Sequence, residues 1–280
     1  MIHQTLISAP EVRALQSAGL PLVVLNCGFD LSDTGAGQRA HALGHVPGAQ
    51  YVHLDDDLAG AKTGRNGRHP LPTREQLAAR AGAWGLAPGI QVVCYDHQGG
   101  VYAARAWWML RWLGHAEVAV LDGGWLAWQA GGGGVETQSV APRARPPYPD
   151  AAPEMATVDA ETLLTRLGRL TLLDARAPER FRGETETLDP VAGHIPGATC
   201  RFFKHNLAAD GRFKPAPQLR DEFMALGLAD EVVHQCGSGV TACHNLLAMA
   251  HAGLAPGALY PGSWSEWCSD PSRPVATGCS

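Results

Sequence analysis

An α/β chain made of two tandem domains, each a parallel sheet flanked by helices, is what three features of the sequence predict. Gly44-His45-Val46-Pro47-Gly48-Ala49 returns as Gly193-His194-Ile195-Pro196-Gly197-Ala198, and Gly124-Trp125-Leu126-Ala127-Trp128 returns as Ser263-Trp264-Ser265-Glu266-Trp267. The landmarks keep the same order in both halves, the mark of a duplicated unit. Short apolar runs also alternate with helical stretches, and that alternation favours βα units on a parallel sheet.

The elements follow in order. Pro21–Asn26 and Gln91–Tyr95 in the first half, with Leu170–Asp174 and Glu231–Gln235 in the second, are continuous apolar runs of the length expected of strands buried on both faces. Gln91–Tyr95 and Glu231–Gln235 each run into a glycine-bearing turn and then a helix, Val101–Leu113 and Val240–His251, with Gly114 and Gly253 as stop signals. Between the halves, Gly131 to Gly134 precede the proline-rich stretch from Ala141 to Pro149, which reads as a linker. The expected division is a domain over 1–140, a linker over 141–152 and a second domain over 153–280.

Composition narrows the partners. Of 280 residues, 45% are hydrophobic, enough for two cores, and the net charge of -5 comes without blocks of like charge. Nucleic acid and an anionic membrane are therefore poor fits. The opening MIHQTLISAPEV lacks a basic region followed by an apolar core, so the expected location is the cytoplasm. Seven cysteines, an odd number without a CxxC pair, read as reduced thiols.

One of those thiols lies where chemistry is expected. Cys236-Gly237-Ser238-Gly239-Val240-Thr241 leaves a buried strand and enters a helix. Two glycines let the backbone curl so that successive N–H groups converge, and the helix N-terminus adds partial positive charge. Such a turn favours an anion, and a cysteine at its lip is favoured as thiolate. A cysteine phosphatase would close the same loop with an arginine six residues on, where this chain has Ala242. Cys236, Cys243 and His244 lack the spacing and fourth ligand of a zinc site, so neither metal nor organic cofactor is expected. The paired tryptophans 125/128 and 264/267 are expected in the core, Cys94 likewise, and the two His-x-Pro-Gly motifs in turns beside the sheets.

Both Gly-His-(Val/Ile)-Pro-Gly-Ala motifs, Asp174-Ala175-Arg176 with Arg180-Phe181, the Cys236 loop and Gly262-Ser263-Trp264-Ser265-Glu266-Trp267 together resemble the rhodanese superfamily, in its tandem-domain thiosulfate and 3-mercaptopyruvate sulfurtransferases. The resemblance implies two rhodanese-like domains, the first without sulfur chemistry because Asp96 stands where Cys236 does. It implies sulfur transfer through a persulfide on Cys236, from 3-mercaptopyruvate or thiosulfate to a thiol, cyanide or a thioredoxin-like acceptor. A loop of the form CGSGVT, as here, is similar to that of mercaptopyruvate-preferring members. By the same resemblance Arg180 clamps the donor carboxylate, Gly237, Gly239, Val240 and Thr241 line the donor, and Ser238 joins His69 and Asp55 in a proton relay. Thr187 stands in the approximate place of a second substrate arginine, with Arg182 as the nearby alternative. The rival reading is a rhodanese-fold relay or binding module that serves a protein partner.

Overall fold

The apolar runs are strands in a computed structural model that describes residues 2–139 and 141–279. The chain forms two compact units. One comprises Met1–Gly60, Pro72–Glu154 and Ala209–Phe213, and the other Ala61–Leu71, Met155–Ala208 and Lys214–Ser280. The segment Ala61–Leu71, from the first half of the sequence, thus belongs to the second unit.

The first unit runs β1 (Leu6–Ile7), α1 (Ala9–Ser17), β2 (Leu22–Asn26), α2 (Ala36–Leu43), β3 (Ala49–Tyr51), α3 (Arg74–Ala83), β4 (Gln91–Tyr95), α4 (Ala103–Leu113), β5 (Val118–Leu121) and α5 (Gly124–Ala130). The second runs β6 (Ala156–Thr157), α6 (Ala160–Arg166), β7 (Thr171–Asp174), α7 (Pro178–Phe181), β8 (Ala198–Cys200), a 3-10 turn (Phe203–Asn206), α8 (Ala216–Met224), β9 (Val232–Gln235), α9 (Ala242–His251), β10 (Ala258–Leu259) and α10 (Ser263–Trp267). Among the described residues each unit holds one five-stranded sheet, ordered β1-β5-β4-β2-β3 and β6-β10-β9-β7-β8. The order is the same and the pairings are parallel throughout.

The cores repeat as the sheets do. Val24, Val46, Ala49, Val93, Trp125 and Trp128 in the first correspond to Leu172, Ile195, Ala198, Val233, Trp264 and Trp267 in the second, all buried. Each burial removes apolar surface worth roughly 25 cal/mol per Å². The His-x-Pro-Gly motifs close turns in which Gly48 and Gly197 take φ of 76° and 79°. Their histidines exchange backbone hydrogen bonds with Glu136 and Ala276, tying the end of each unit to its sheet.

Five boundaries differ from the sequence reading, among them the starts of β7 and β9, which fall one residue later at Thr171 and Val232. Strand β2 starts at Leu22 rather than Pro21, which has no N–H for the ladder. Helices α4 and α9 start at Ala103 and Ala242 rather than Val101 and Val240, because the intervening residues are spent on the turn that follows the strand. Gly114 and Gly253 stop these helices with φ of 96° and 70°. Among the described residues no helix is long and apolar enough to cross a membrane, and no cluster of side chains has the make-up of a metal site.

Candidate functional site

The two halves carry the same turn with different residues at its lip, so each explains the other. In the first unit Asp96 follows β4, and its carboxylate collects the backbone of its own loop. Oδ1 accepts from the amides of Gln98 and Gly100 at 2.8 and 2.9 Å, and Oδ2 from those of Tyr102 and Ala103 at 2.8 and 3.0 Å. Four converging N–H groups at the head of α4 are an anion cradle with the anion built in.

In the second unit Cys236 follows β9 at the matching place and is buried. The counterparts in sequence of the Gln98, Gly100 and Tyr102 amides are those of Ser238, Val240 and Ala242. Gly99 and Gly239 adopt the same left-handed bend, with φ of 76° and 75°. Gly239 is doubly required, since a methyl group there would lie 2.4 Å from the Pro261 carbonyl oxygen.

The start of α10 fixes the loop from behind. The Cys236 amide donates to Ser263 Oγ at 3.1 Å, and that hydroxyl donates to the Tyr260 carbonyl at 2.9 Å. The amides of Trp264 and Ser265 donate to the carbonyls of Cys236 and Gly237 at 3.0 and 2.9 Å. Ser263 is the one non-glycine with positive φ among the described residues, at 54°. Sequence reasoning placed it in the tryptophan motif and gave it no part in the site; the signal was available, because its repeat partner is Gly124, with φ of 55°.

The other expected residues are distributed over the two units. His69 Nδ1 and Ser238 Oγ are 2.8 Å apart and both side chains are buried. They come from distant sequence but from the same unit, because Ala61–Leu71 packs with the second half. Asp55 belongs to the first unit, half-buried in the turn after β3. Arg180, on α7, reaches over Gly237: a methyl group on that glycine would lie 3.5 Å from Arg180 Nη1 and 3.1 Å from Arg68 Nη2. Val240 is buried and Thr241 half-buried where the turn meets α9.

Arg68 was not among the expected residues. Its Nη1 donates to Asp189 Oδ1 at 2.6 Å, and the other oxygen of Asp189 takes Arg180 Nη2 at 3.2 Å. Glu186 grips Arg180 through Nε at 3.2 Å and Nη2 at 2.8 Å. Burial works to raise the Glu186 carboxyl, but the Leu188 amide and the Arg180 guanidinium outweigh it and hold the group below its ordinary range. Behind them Arg176 forks onto Asp174 and lies 4.8 Å over the Trp264 ring. Arg182, the alternative read from the sequence, instead pairs with the exposed Glu184, and Thr187 is exposed.

Fold and loop together define a tandem α/β protein that presents a cysteine on an anion-cradling turn. The family model described as "Rhodanese-like domain" matches residues 10–131 and 159–270, and the chain belongs to that family. It is 51% identical to a protein of Pseudomonas aeruginosa named as a probable 3-mercaptopyruvate sulfurtransferase, over 99% of this chain and 100% of that one. It is 32% identical to the thiosulfate sulfurtransferase of Cricetulus griseus, over 95% and 94% of the two chains. Among solved structures, a 3-mercaptopyruvate sulfurtransferase from Leishmania major superposes with a TM-score of 0.84 at 29% identity, covering 94% of this chain and 74% of that one.

Proposed function

We propose that the chain is a sulfurtransferase of the 3-mercaptopyruvate or thiosulfate type that carries sulfur as a persulfide on Cys236. The observation that carries this reading is the pair of loops: where the first has a carboxylate held by four amides, the second has a thiol. A turn shaped to hold negative charge suits the terminal sulfur of a persulfide.

With 3-mercaptopyruvate, the Cys236 thiolate attacks the donor sulfur and the carbon–sulfur bond breaks. Its electron pair passes into the enolate of pyruvate, and the donor's thiol proton ends on the methyl carbon. Ser238 and His69, whose Oγ and Nδ1 are 2.8 Å apart, would move that proton. Arg180 binds the carboxylate. An acceptor thiolate, or cyanide, then attacks the outer sulfur and releases Cys236 as thiolate. A reducing compartment such as the cytoplasm would keep the seven cysteines, all free thiols in the structure, available for this cycle.

Steady-state turnover with both donors and cyanide as acceptor tests the reading. Cys236→Ser is expected to abolish transfer from each. Ser238→Ala and His69→Ala are expected to lower kcat with 3-mercaptopyruvate by about 10²-fold or more and to affect thiosulfate, which needs no proton moved, much less. Residual transfer by Cys236→Ser at more than a few per cent of the parent rate would refute the reading.

A further inference from the structure

A second arginine stands beside the Cys236 loop, outside the segment where the family resemblance looks for one. The nitrogens nearest Gly237 are Arg68 Nη2 and Arg180 Nη1. Neither is the nitrogen the carboxylates engage, since Asp189 takes Arg68 Nη1 and Arg180 Nη2 while Glu186 takes Arg180 Nε and Nη2. The side chains of Arg68 and Arg180 keep 23% and 21% of their surface exposed, whereas Asp189 keeps 3%. The arrangement is a buried carboxylate that fixes two guanidiniums from behind and leaves one face of each turned to the mouth of the Cys236 loop. Arg68 is further anchored through its own amide, which donates to Ser265 Oγ at 2.9 Å beside the loop.

Resting on the sulfurtransferase reading, we infer that Arg68 and Arg180 together bind the donor's anionic group and that Asp189 sets which anion they prefer. Among the described residues, the charges gathered here are the guanidiniums of Arg68, Arg176 and Arg180 facing the carboxylates of Asp174, Glu186 and Asp189. They cancel. Fork-shaped donors that add no net charge of their own beside the Cys236 thiolate suit a monoanionic α-keto carboxylate, which gains directed hydrogen bonds, better than dianionic thiosulfate, whose second charge is left uncompensated. Asp189 therefore acts as a specificity-determining residue: it holds the fork in place and subtracts one charge from it.

The experiment measures kcat and KM for 3-mercaptopyruvate and for thiosulfate, with cyanide as acceptor, on the full-length parent, Asp189→Asn and Arg68→Gln. Asp189→Asn is expected to raise the thiosulfate-to-mercaptopyruvate ratio of kcat/KM by about tenfold, mostly by lowering the KM for thiosulfate. Arg68→Gln is expected to weaken 3-mercaptopyruvate by about 10- to 100-fold, chiefly in KM, and to move the ratio the other way or leave neither donor well bound. Because Asp189 is buried, Arg68→Gln also carries the test by itself should Asp189→Asn fold poorly. Equal changes for both donors in Asp189→Asn, or a mercaptopyruvate KM within twofold of the parent in Arg68→Gln, would overturn the inference. If the parent takes sulfur from neither donor, the sulfurtransferase reading fails and this inference with it; if the parent turns over both and the ratio does not move, this inference alone fails.

Discussion

Ser263 shows at the scale of one residue what the site demands. Its counterpart Gly124 adopts the same φ, 55° against 54°, and for a glycine that conformation is free of strain. A serine there costs on the order of 1 kcal/mol, and what it supplies is a buried hydroxyl for the Cys236 amide. Ser263→Gly relieves the strain and orphans that amide, two effects of similar size, so its melting temperature should move by only a few degrees. Its kcat should nonetheless fall several-fold, because the cysteine loses the bond that fixes its backbone. Parent-like turnover in the glycine variant would assign the hydroxyl to stability alone.

At the scale of the element, the unit of function is strand, turn and helix taken together. Repetition makes the turn's task visible: β4 and β9 deliver a residue to the same place, and what differs is a carboxylate in one and a thiol in the other. Asp96→Ala would leave four amides without their acceptor and is expected to destabilise the fold by about 3 kcal/mol, measured as a lower urea midpoint. A loss below about 1 kcal/mol would mean that the turn does not depend on its anion. Gly239→Ala, forced to a φ of 75° with its methyl against the Pro261 carbonyl, should cost about 2–4 kcal/mol in the same assay and abolish transfer.

Over the whole molecule, what is legible in the sequence follows from the range of the interactions. Parallel strands buried on both faces are mostly apolar, so β2, β4, β7 and β9 stand out as runs even though β9 also buries His234 and Gln235, and the repeated motifs fix the duplication. Cys236 and its loop are readable because the turn's chemistry is local. Arg68 is not, because its place beside Asp189 depends on Ala61–Leu71 packing with residues more than a hundred positions away. Asp189 is likewise hidden, since a carboxylate that backs an arginine pair looks in sequence like any other acidic loop residue. Both units also share a response to acid. Burial holds His41 down at about 4 and His234 at about 3, so both stay neutral in the fold while the unfolded chain would protonate them near 6.5. The unfolded state then binds more protons below that value, and stability should fall as pH drops from about 6.5 towards 4; urea midpoints that are equal at pH 7 and pH 5 would contradict this. The central claim, that the anion cradle of the second unit loads sulfur on one thiol, is tested most directly by peptide mass spectrometry after brief exposure to 3-mercaptopyruvate or thiosulfate without acceptor. One added sulfur atom on the peptide bearing Cys236, removed again by cyanide, is the predicted result; an unmodified Cys236 peptide with both donors, or sulfur found on another cysteine instead, would contradict it.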